Sequence, residues 1–346
     1  MPNETPIMKE RPAWSVWSVR PAWPAWKGVA VNYIKSMRLY YAFITGISGW
    51  VGVAFYQFLF PGAVPPFRAA LILGLLFLSW GFNQIINDIL GLKEDRINAP
   101  KRPLVTGALP LRPALGITGA GLGFTLCLAW ALNPLSVVPA LAGILLNVLY
   151  EYAKRRSLWG NAVFGIMIAM CPVFGFLAAG PAPEPLVTGN RLSVLALVAL
   201  LNAVMTFYTY FKDYEGDKQA RVLTFVVKHG IPKARVAGMA FAFAFALICA
   251  GLVIGGALPM SDILFREEFL FICAVTVFLH IWTGWLFFRD PVGPRTYFNL
   301  VVNIQACTAG NCALLAIFNA GLALYLLVVS YILIEFFFTM YRDARA

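Results

Sequence analysis

The sequence predicts an all-α bundle of membrane-spanning helices, and three observations carry that prediction. Of the 346 residues, 60% are hydrophobic and only 12% charged, and the mean hydropathy is +0.75, far from the composition of a soluble domain. The apolar residues fall in runs of about 20, long enough to cross the hydrocarbon core as helices and unlike the short alternating segments of a barrel. The connections between runs alternate between basic and weakly charged, as they do when successive helices cross in opposite directions.

The runs are Tyr40–Phe60, Ala69–Leu90, Ala114–Leu132, Leu135–Tyr152, Trp159–Ala179, Leu192–Phe211, Ala234–Ala257, Phe269–Phe288, Tyr297–Phe318 and Gly321–Tyr341. Residues 91–112, 153–158, 212–233 and 289–296 are rich in Lys and Arg, which places them inside together with the amino terminus; Arg342 and Arg345 put the carboxyl end on the same side. This topology predicts an integral, multi-pass protein of a bacterial-type cytoplasmic membrane, with residues 1–38 as a cytoplasmic, interfacial segment ahead of one helical domain, 39–346. In the first segment Trp14, Trp17, Trp23 and Trp26 lie among Lys9, Arg11, Arg20, Lys27 and Lys35, a mixture suited to the headgroup region. It lacks the apolar core of a cleavable signal, so the first span is expected to be an uncleaved anchor.

The formal net charge of +11 is accounted for by these basic loops, which leaves no continuous patch for nucleic acid, and none is expected as a partner. The six cysteines, Cys127, Cys171, Cys249, Cys273, Cys307 and Cys312, all lie in apolar runs without metal-ligand spacing and read as packing residues.

One stretch interrupts the hydrocarbon pattern. Asn83–Gly107, NQIINDILGLKEDRINAPKRPLVTG, puts amides and carboxylates at the end of the second run, followed by a basic, Pro-containing tail. Asn83, Asn87 and Asp95 recur at multiples of four and Asp88 precedes Asp95 by seven, so all share roughly one face of a continuous helix. An ionisable group near membrane depth costs about 2.5–3.5 kcal/mol on insertion scales, which makes these residues functional candidates. A second cluster, Lys212–Gly230, follows the sixth run: Asp213 and Asp217 are four apart, with Glu215 between them and Lys212 and Lys218 alongside. Four helices separate the clusters and return the chain to one face, a weak internal echo of a repeat.

Two carboxylate clusters meeting one cavity suit Mg²⁺, which takes one or two protein carboxylates and completes its shell with water and phosphate oxygens. Asn87, Asp88, Asp95, Asp213 and Asp217 are the candidate ligands, with Asn83, Glu94 and Glu215 in support. Arg96, Lys101, Arg102, Lys154, Arg155 and Lys212 are placed to neutralise phosphates, and a diphosphate leaving group is the natural inference. Tyr150, at a helix end before Lys154, offers an aromatic face to a developing carbocation, worth about 0.5–2 kcal/mol. An interfacial Tyr beside a positive loop explains that element equally well.

The ordered set N-D-x-x-x-x-x-x-D, R-I-N-A-P-K-R-P-L-V-T-G, Y-E-Y-A-K-R-x-x-x-x-G-N and K-D-Y-E-G-D-K with a later H-G resembles the UbiA superfamily of intramembrane prenyltransferases, over about Tyr40–Phe318. The resemblance implies nine spans opening laterally to lipid, two Asp-rich motifs binding Mg²⁺-diphosphate, and transfer of an isoprenyl chain to a hydrophobic, aromatic or lipid-like acceptor. Two departures stand out. Gly91 occupies the position where the resemblance expects a middle aspartate, leaving Glu94 as a partial substitute, and the run after Phe318 makes a tenth span.

Other readings are a terpene cyclase of the same superfamily, kept open by Gly91, and a transporter, disfavoured because both acidic clusters lie at helix ends on one side rather than at the midplane. His229 and His280, the only histidines, read as a turn residue before Gly230 and a packing residue.

Overall fold

The computed structural model describes residues 26–254 and 267–341. The expectations for Trp14, Trp17 and Trp23 with their neighbouring charges, for the end of the seventh run at Ala257, and for Arg342 and Arg345 lie outside the described residues.

Fifteen α-helices occupy the described residues: α1 (Trp26–Met37), α2 (Ala42–Leu59), α3 (Pro66–Leu90), α4 (Leu92–Asn98), α5 (Pro103–Thr106), α6 (Leu111–Leu132), α7 (Val137–Ala153), α8 (Trp159–Ala179), α9 (Gly189–Lys212), α10 (Tyr214–Gln219), α11 (Phe225–His229), α12 (Ile231–Ile254), α13 (Glu267–Arg289), α14 (Thr296–Ala316) and α15 (Ala320–Met340). Nine stretches among the described residues are long and apolar enough to cross a membrane, the first of them running from Trp26 to Leu59. α15, the run after Phe318, is one of the nine, and the 24-residue α12 is a further long helix outside that set. The protein is an all-α, multi-pass integral membrane protein.

Several helices begin ahead of their apolar runs, at polar residues or Pro. Pro66 opens α3 in its first turn, Thr188 caps α9 by accepting from Arg191 N at 3.3 Å, and Asn319 caps α15 by accepting from Leu322 N at 3.0 Å. The two long basic connections are partly helical: α4 and α5 fold within the first, α10 and α11 within the second. Thr224 caps α11, and Gly230, at φ 77°, turns the chain from His229 into α12. Ser157 N donates to Leu223 O at 2.7 Å, tying the α7–α8 connection to the segment before α11.

α2, α8 and α14 form the centre. Gly52 and Gly175 let α2 and α8 touch backbone to backbone, since a Cβ on either would overlap a carbonyl of the facing helix, Pro172 O and Gly49 O respectively. α14 is buried almost throughout and carries a row of amides whose bonds leave the helix: Asn303 donates to Met205 O at 2.9 Å, and Asn311 accepts from Ser48 at 3.0 Å. In a setting without water these amides hold helices together and need no catalytic explanation. His280 is also a packing residue, its Nδ1 2.9 Å from Thr276 O.

The ends of α3, α7 and α9 gather at one end of the bundle with α1. That helix buries Val29, Tyr33 and Met37 against Ile85, Leu109 and Ala114. Arg38 then breaks the chain in the left-handed region, φ 47°, before α2 begins. The Tyr341 hydroxyl donates to Ile34 O at 2.8 Å, returning the end of α15 to the same end of the bundle.

The α2–α8 contact yields a stability prediction. Gly175→Leu should destabilise the protein by at least about 1–3 kcal/mol through overpacking and lower its melting temperature in detergent. Gly74→Leu, at a position with nothing within 4 Å, should leave it unchanged or raised. Equal melting temperatures for the two variants would contradict the close approach.

Candidate active site

Two matched breaks build the site. α3 stops at Gly91 (φ −93°, ψ 13°) and resumes as α4; α9 stops at Asp213 (φ −92°, ψ 6°) and resumes as α10. The hydrogen-bond path carries through each break, with Asp95 N donating to Gly91 O and Asp217 N to Asp213 O, both at 3.0 Å. The positions four before, at and four after the break therefore stay on one side: Asn87, Gly91 and Asp95 in the first unit, Thr209, Asp213 and Asp217 in the second. All six line one polar cavity with an empty volume of about 820 Å³. The short helices are pinned together where Asn98 Oδ1 accepts from Gly216 N at 2.9 Å, and Gly216 leaves no room for a side chain against the Asn98 amide.

Charge in this cavity is dense and largely paired. Arg102 bridges the Asp95 carboxylate and Asp88, the latter at 3.7 Å; Arg38 also pairs with Asp88, and Gln84 donates to Asp88 Oδ1 at 2.9 Å. Lys212 pairs with Asp213 at 2.5 Å, Lys154 with Glu151 at 2.5 Å, and Arg155 with Glu94 at 3.2 Å. Glu94 and Glu151 are each at most 5% exposed, yet Glu94 Oε2 and Glu151 Oε1 have no hydrogen-bond partner. Burial and the neighbouring Asp213 push Asp217 up to about 8. Burial, with Asp88 and Asp213 adding to it, raises Asp95 against the pull of Arg102. Asp213 is the opposite case: burial disfavours its charge, but Lys212, Arg102 and Arg38 outweigh it and hold the carboxyl below its ordinary value. Lys154 is likewise disfavoured by burial and kept above its ordinary value by Glu151, Asp217 and Glu94.

Among the expected site residues, Asn87, Glu94, Asp95, Arg102, Tyr150, Lys154, Lys212, Asp213 and Asp217 line this cavity. Asp88 is not among them. It lines an adjacent cleft with Lys35, Arg38, Tyr297 and Tyr341, and is linked to Asp95 through Arg102, which lines both spaces. Asn83, a turn earlier, lines an apolar cavity deeper in the bundle. Arg155 is half exposed and reaches the site only through Glu94, whereas Arg96, Lys101 and Glu215 are exposed and outside the cavity.

The structure adds Arg38, Gln84, Asn98, Glu151 and Tyr210, which the sequence reading did not single out. The signals were weak: Arg38 is one more basic residue before the first span, and Glu151 stands between Tyr150 and Lys154 as an ordinary i,i+3 partner.

The polar cavity adjoins an apolar one, and Trp80, Gln84, Asn87 and Phe164 line both and form the waist between them. The apolar cavity has an empty volume of about 840 Å³ and lies among α2, α3, α6, α7 and α8, with Leu75, Leu122, Leu126, Ile144 and Met167 in its wall. α6 and α7, which bury few of their residues, form its outer side. Tyr150 packs edge-on against Phe164, ring centroids 5.5 Å apart, at the polar side of the waist.

Among the described residues no three acidic, His or Cys side chains converge closely enough to form a ready metal site. The donor set nevertheless fits Mg²⁺, which needs few protein carboxylates when phosphate and water supply the rest. Two facing pairs, Asn87 with Asp95 and Asp213 with Asp217, and the unpartnered oxygens of Glu94 and Glu151 are what such an ion would satisfy.

A profile described as the UbiA prenyltransferase family matches residues 47–304. A digeranylgeranylglyceryl phosphate synthase of Thermococcus sibiricus is 30% identical over 216 residues, 61% of this chain and 73% of that protein. The corresponding protein of Thermococcus kodakarensis is 27% identical over 248 residues, covering 69% and 86%. The fold is shared with a UbiA homologue from Archaeoglobus fulgidus solved with DMAPP and Mg²⁺, at a TM-score of 0.58, 19% identity and coverage of 82% of this chain and 99% of that one. It is shared also with a UbiA homologue from Aeropyrum pernix, at a TM-score of 0.59 and 21% identity over 80% and 96%. The chain belongs to the UbiA prenyltransferase family.

Proposed function

We propose that this protein transfers an isoprenyl chain from an isoprenyl diphosphate to a hydrophobic acceptor within the membrane, in a Mg²⁺-dependent reaction whose site faces the cytoplasm. The observation that carries the reading is the two-part chamber: a charged end joined through an aromatic waist to an apolar cavity matches a molecule with a diphosphate head and a hydrocarbon tail. The relatives support it, since their names denote formation of a diprenylated glyceryl phosphate and the Archaeoglobus homologue was solved with DMAPP and Mg²⁺.

Arg38, Arg102, Lys154 and Lys212 bind the diphosphate, each already held by a carboxylate that fixes its position. Asn87, Asp95, Asp213 and Asp217 would hold Mg²⁺, which supplies charge neutralisation for the departing diphosphate. The bond from the allylic carbon to the diphosphate oxygen breaks with its electron pair leaving on that oxygen. Trp80, Tyr150 and Phe164 line the place where positive charge develops, and their ring faces stabilise it while the surrounding apolar wall excludes water. The acceptor's nucleophilic atom then forms the new bond to the allylic carbon and gives up its proton to the released diphosphate.

Three tests follow. Purified protein given Mg²⁺ and geranylgeranyl diphosphate, with and without a prenylated glyceryl phosphate or a quinone-precursor mixture, should yield by mass analysis a product containing both partners. A cyclic terpene as main product without acceptor would replace transfer with cyclisation.

Asp95→Asn and Asp213→Asn should each slow diphosphate release on the order of 100-fold, as loss of one element of charge stabilisation does, with melting temperature retained. Arg38→Ala should do the same, while Arg96→Ala and Lys101→Ala, outside the cavity, should stay within about twofold. Near-normal activity of Asp213→Asn would remove the site assignment.

In a background lacking the native cysteines, Lys93→Cys and Lys218→Cys should react with an impermeant thiol reagent from the cytoplasmic side and Ala63→Cys, at the opposite end of α3, from the outside. Labelling of Lys93→Cys and Lys218→Cys from opposite sides would contradict the topology.

A further inference from the structure

The two break units are alike in geometry but not in chemistry. In the α9–α10 unit the break residue is Asp213, which brings its own carboxylate into the cavity; in the α3–α4 unit it is Gly91, which brings none. The backbone at Gly91 has no need of glycine: its φ of −93° is open to any residue, and a Cβ there would meet the Asn87 carbonyl oxygen tightly, at 3.3 Å, and its other neighbours at ordinary contact distance. That Cβ would point at another carboxylate. Glu151 Oε2, from the last turn of α7, lies 3.7 Å from it and Lys154 Nζ lies 3.8 Å from it.

Glu151 is only 5% exposed, one oxygen is held by Lys154 at 2.5 Å, and the other, Oε1, has no partner. The unmade bond of this buried carboxylate, in the wall of a polar cavity, costs about 1–3 kcal/mol, which a bound cation would recover.

We propose that Glu151 takes the place of the carboxylate missing at Gly91, so that the first half of the cation site is built by Asn87 and Asp95 from one element and Glu151 from another. The inference rests on the reading of the chamber as a divalent-cation and diphosphate site. Lys154 then has two roles in sequence: it neutralises Glu151 when no divalent cation is bound and is released toward phosphate oxygens when one is. Charge at the site is preserved if the carboxylate moves from α7 to position 91.

The experiment uses the full-length protein in detergent and measures binding of Mn²⁺, alone and with inorganic diphosphate, from the electron paramagnetic resonance signal of the free ion. Glu151→Gln should weaken Mn²⁺ binding by at least about tenfold, and Gly91→Asp added to it should recover most of the loss. Gly91→Asp in the native background should change binding by less than about threefold, since the place is already filled. The proposal is overturned if folded Glu151→Gln binds Mn²⁺ as the native protein does. It is overturned equally if Gly91→Asp fails to rescue a variant whose melting temperature is unchanged, or if Gly91→Asp alone tightens binding tenfold, the mark of an empty place. Asp213→Asn separates this idea from the reading beneath it. Loss of Mn²⁺ binding in Asp213→Asn with none in Glu151→Gln removes only the role of Glu151, whereas retained binding in Asp213→Asn removes the cation site as a whole and the proposal with it.

Discussion

Charge compensation at one end of an apolar bundle is the constraint on which the rest of this structure depends. Asp88, Glu94, Asp95, Glu151, Asp213 and Asp217 are brought together where water is scarce, with Arg38, Arg102, Lys154 and Lys212 as their direct partners and Arg155 at the rim. Buried charge is tolerated only when paired and hydrogen-bonded, and here the pairing is incomplete: Asp217 is pushed up to about 8 by burial and Asp213, and Glu94 and Glu151 each keep an oxygen without a partner. The scaffold holds this arrangement because α2 and α8 pack backbone to backbone at its centre and α14 is tied to α2 and α9 by amide hydrogen bonds. The unfinished charge balance is a ground state prepared for a cation and an anion to complete.

The same constraint explains the path of the chain. Each acidic unit is a spanning helix, a one-residue break and a short helix, and the two short helices meet through Asn98 and Gly216. The breaks let carboxylates leave the membrane helix axis without losing their register. Two of the basic partners come from elsewhere, Arg38 from the turn before α2 and Lys154 from the end of α7, so closing the charge balance requires those helices to be assembled first.

Much of this was legible in the sequence. Ten apolar runs and alternating basic loops give the all-α membrane fold, and spacing alone set Asn87 with Asp95, and Asp213 with Asp217, each on one side of its own element, though it set Asn83 and Asp88 with the first pair as well. What spacing did not reveal depends on which cavity a side chain enters and on partners distant in sequence. Asp88, which its seven-residue spacing sets on the face of Asp95, lines a neighbouring cleft; Arg96 and Lys101 share a basic tail with Arg102, yet only Arg102 turns inward. Arg38 was hidden among headgroup-type cations, and the polar row on α14 carries no sign in the sequence that its role is packing. The meaning of Gly91 needed the position of α7, because a vacancy on one helix can be filled only by a side chain whose approach the sequence does not encode locally.

The central claim is that the charged end, the aromatic waist and the apolar cavity form one chamber for one substrate. A structure of the protein with Mg²⁺ and a non-cleavable thio analogue of an isoprenyl diphosphate tests it most directly. The account predicts the diphosphate among Arg38, Arg102, Lys154 and Lys212, and the prenyl chain passing Trp80 and Phe164 into the cavity walled by Leu75, Leu126 and Ile144. A diphosphate seated instead in the cleft of Lys35 and Tyr297, or a chain that avoids the waist, would contradict it.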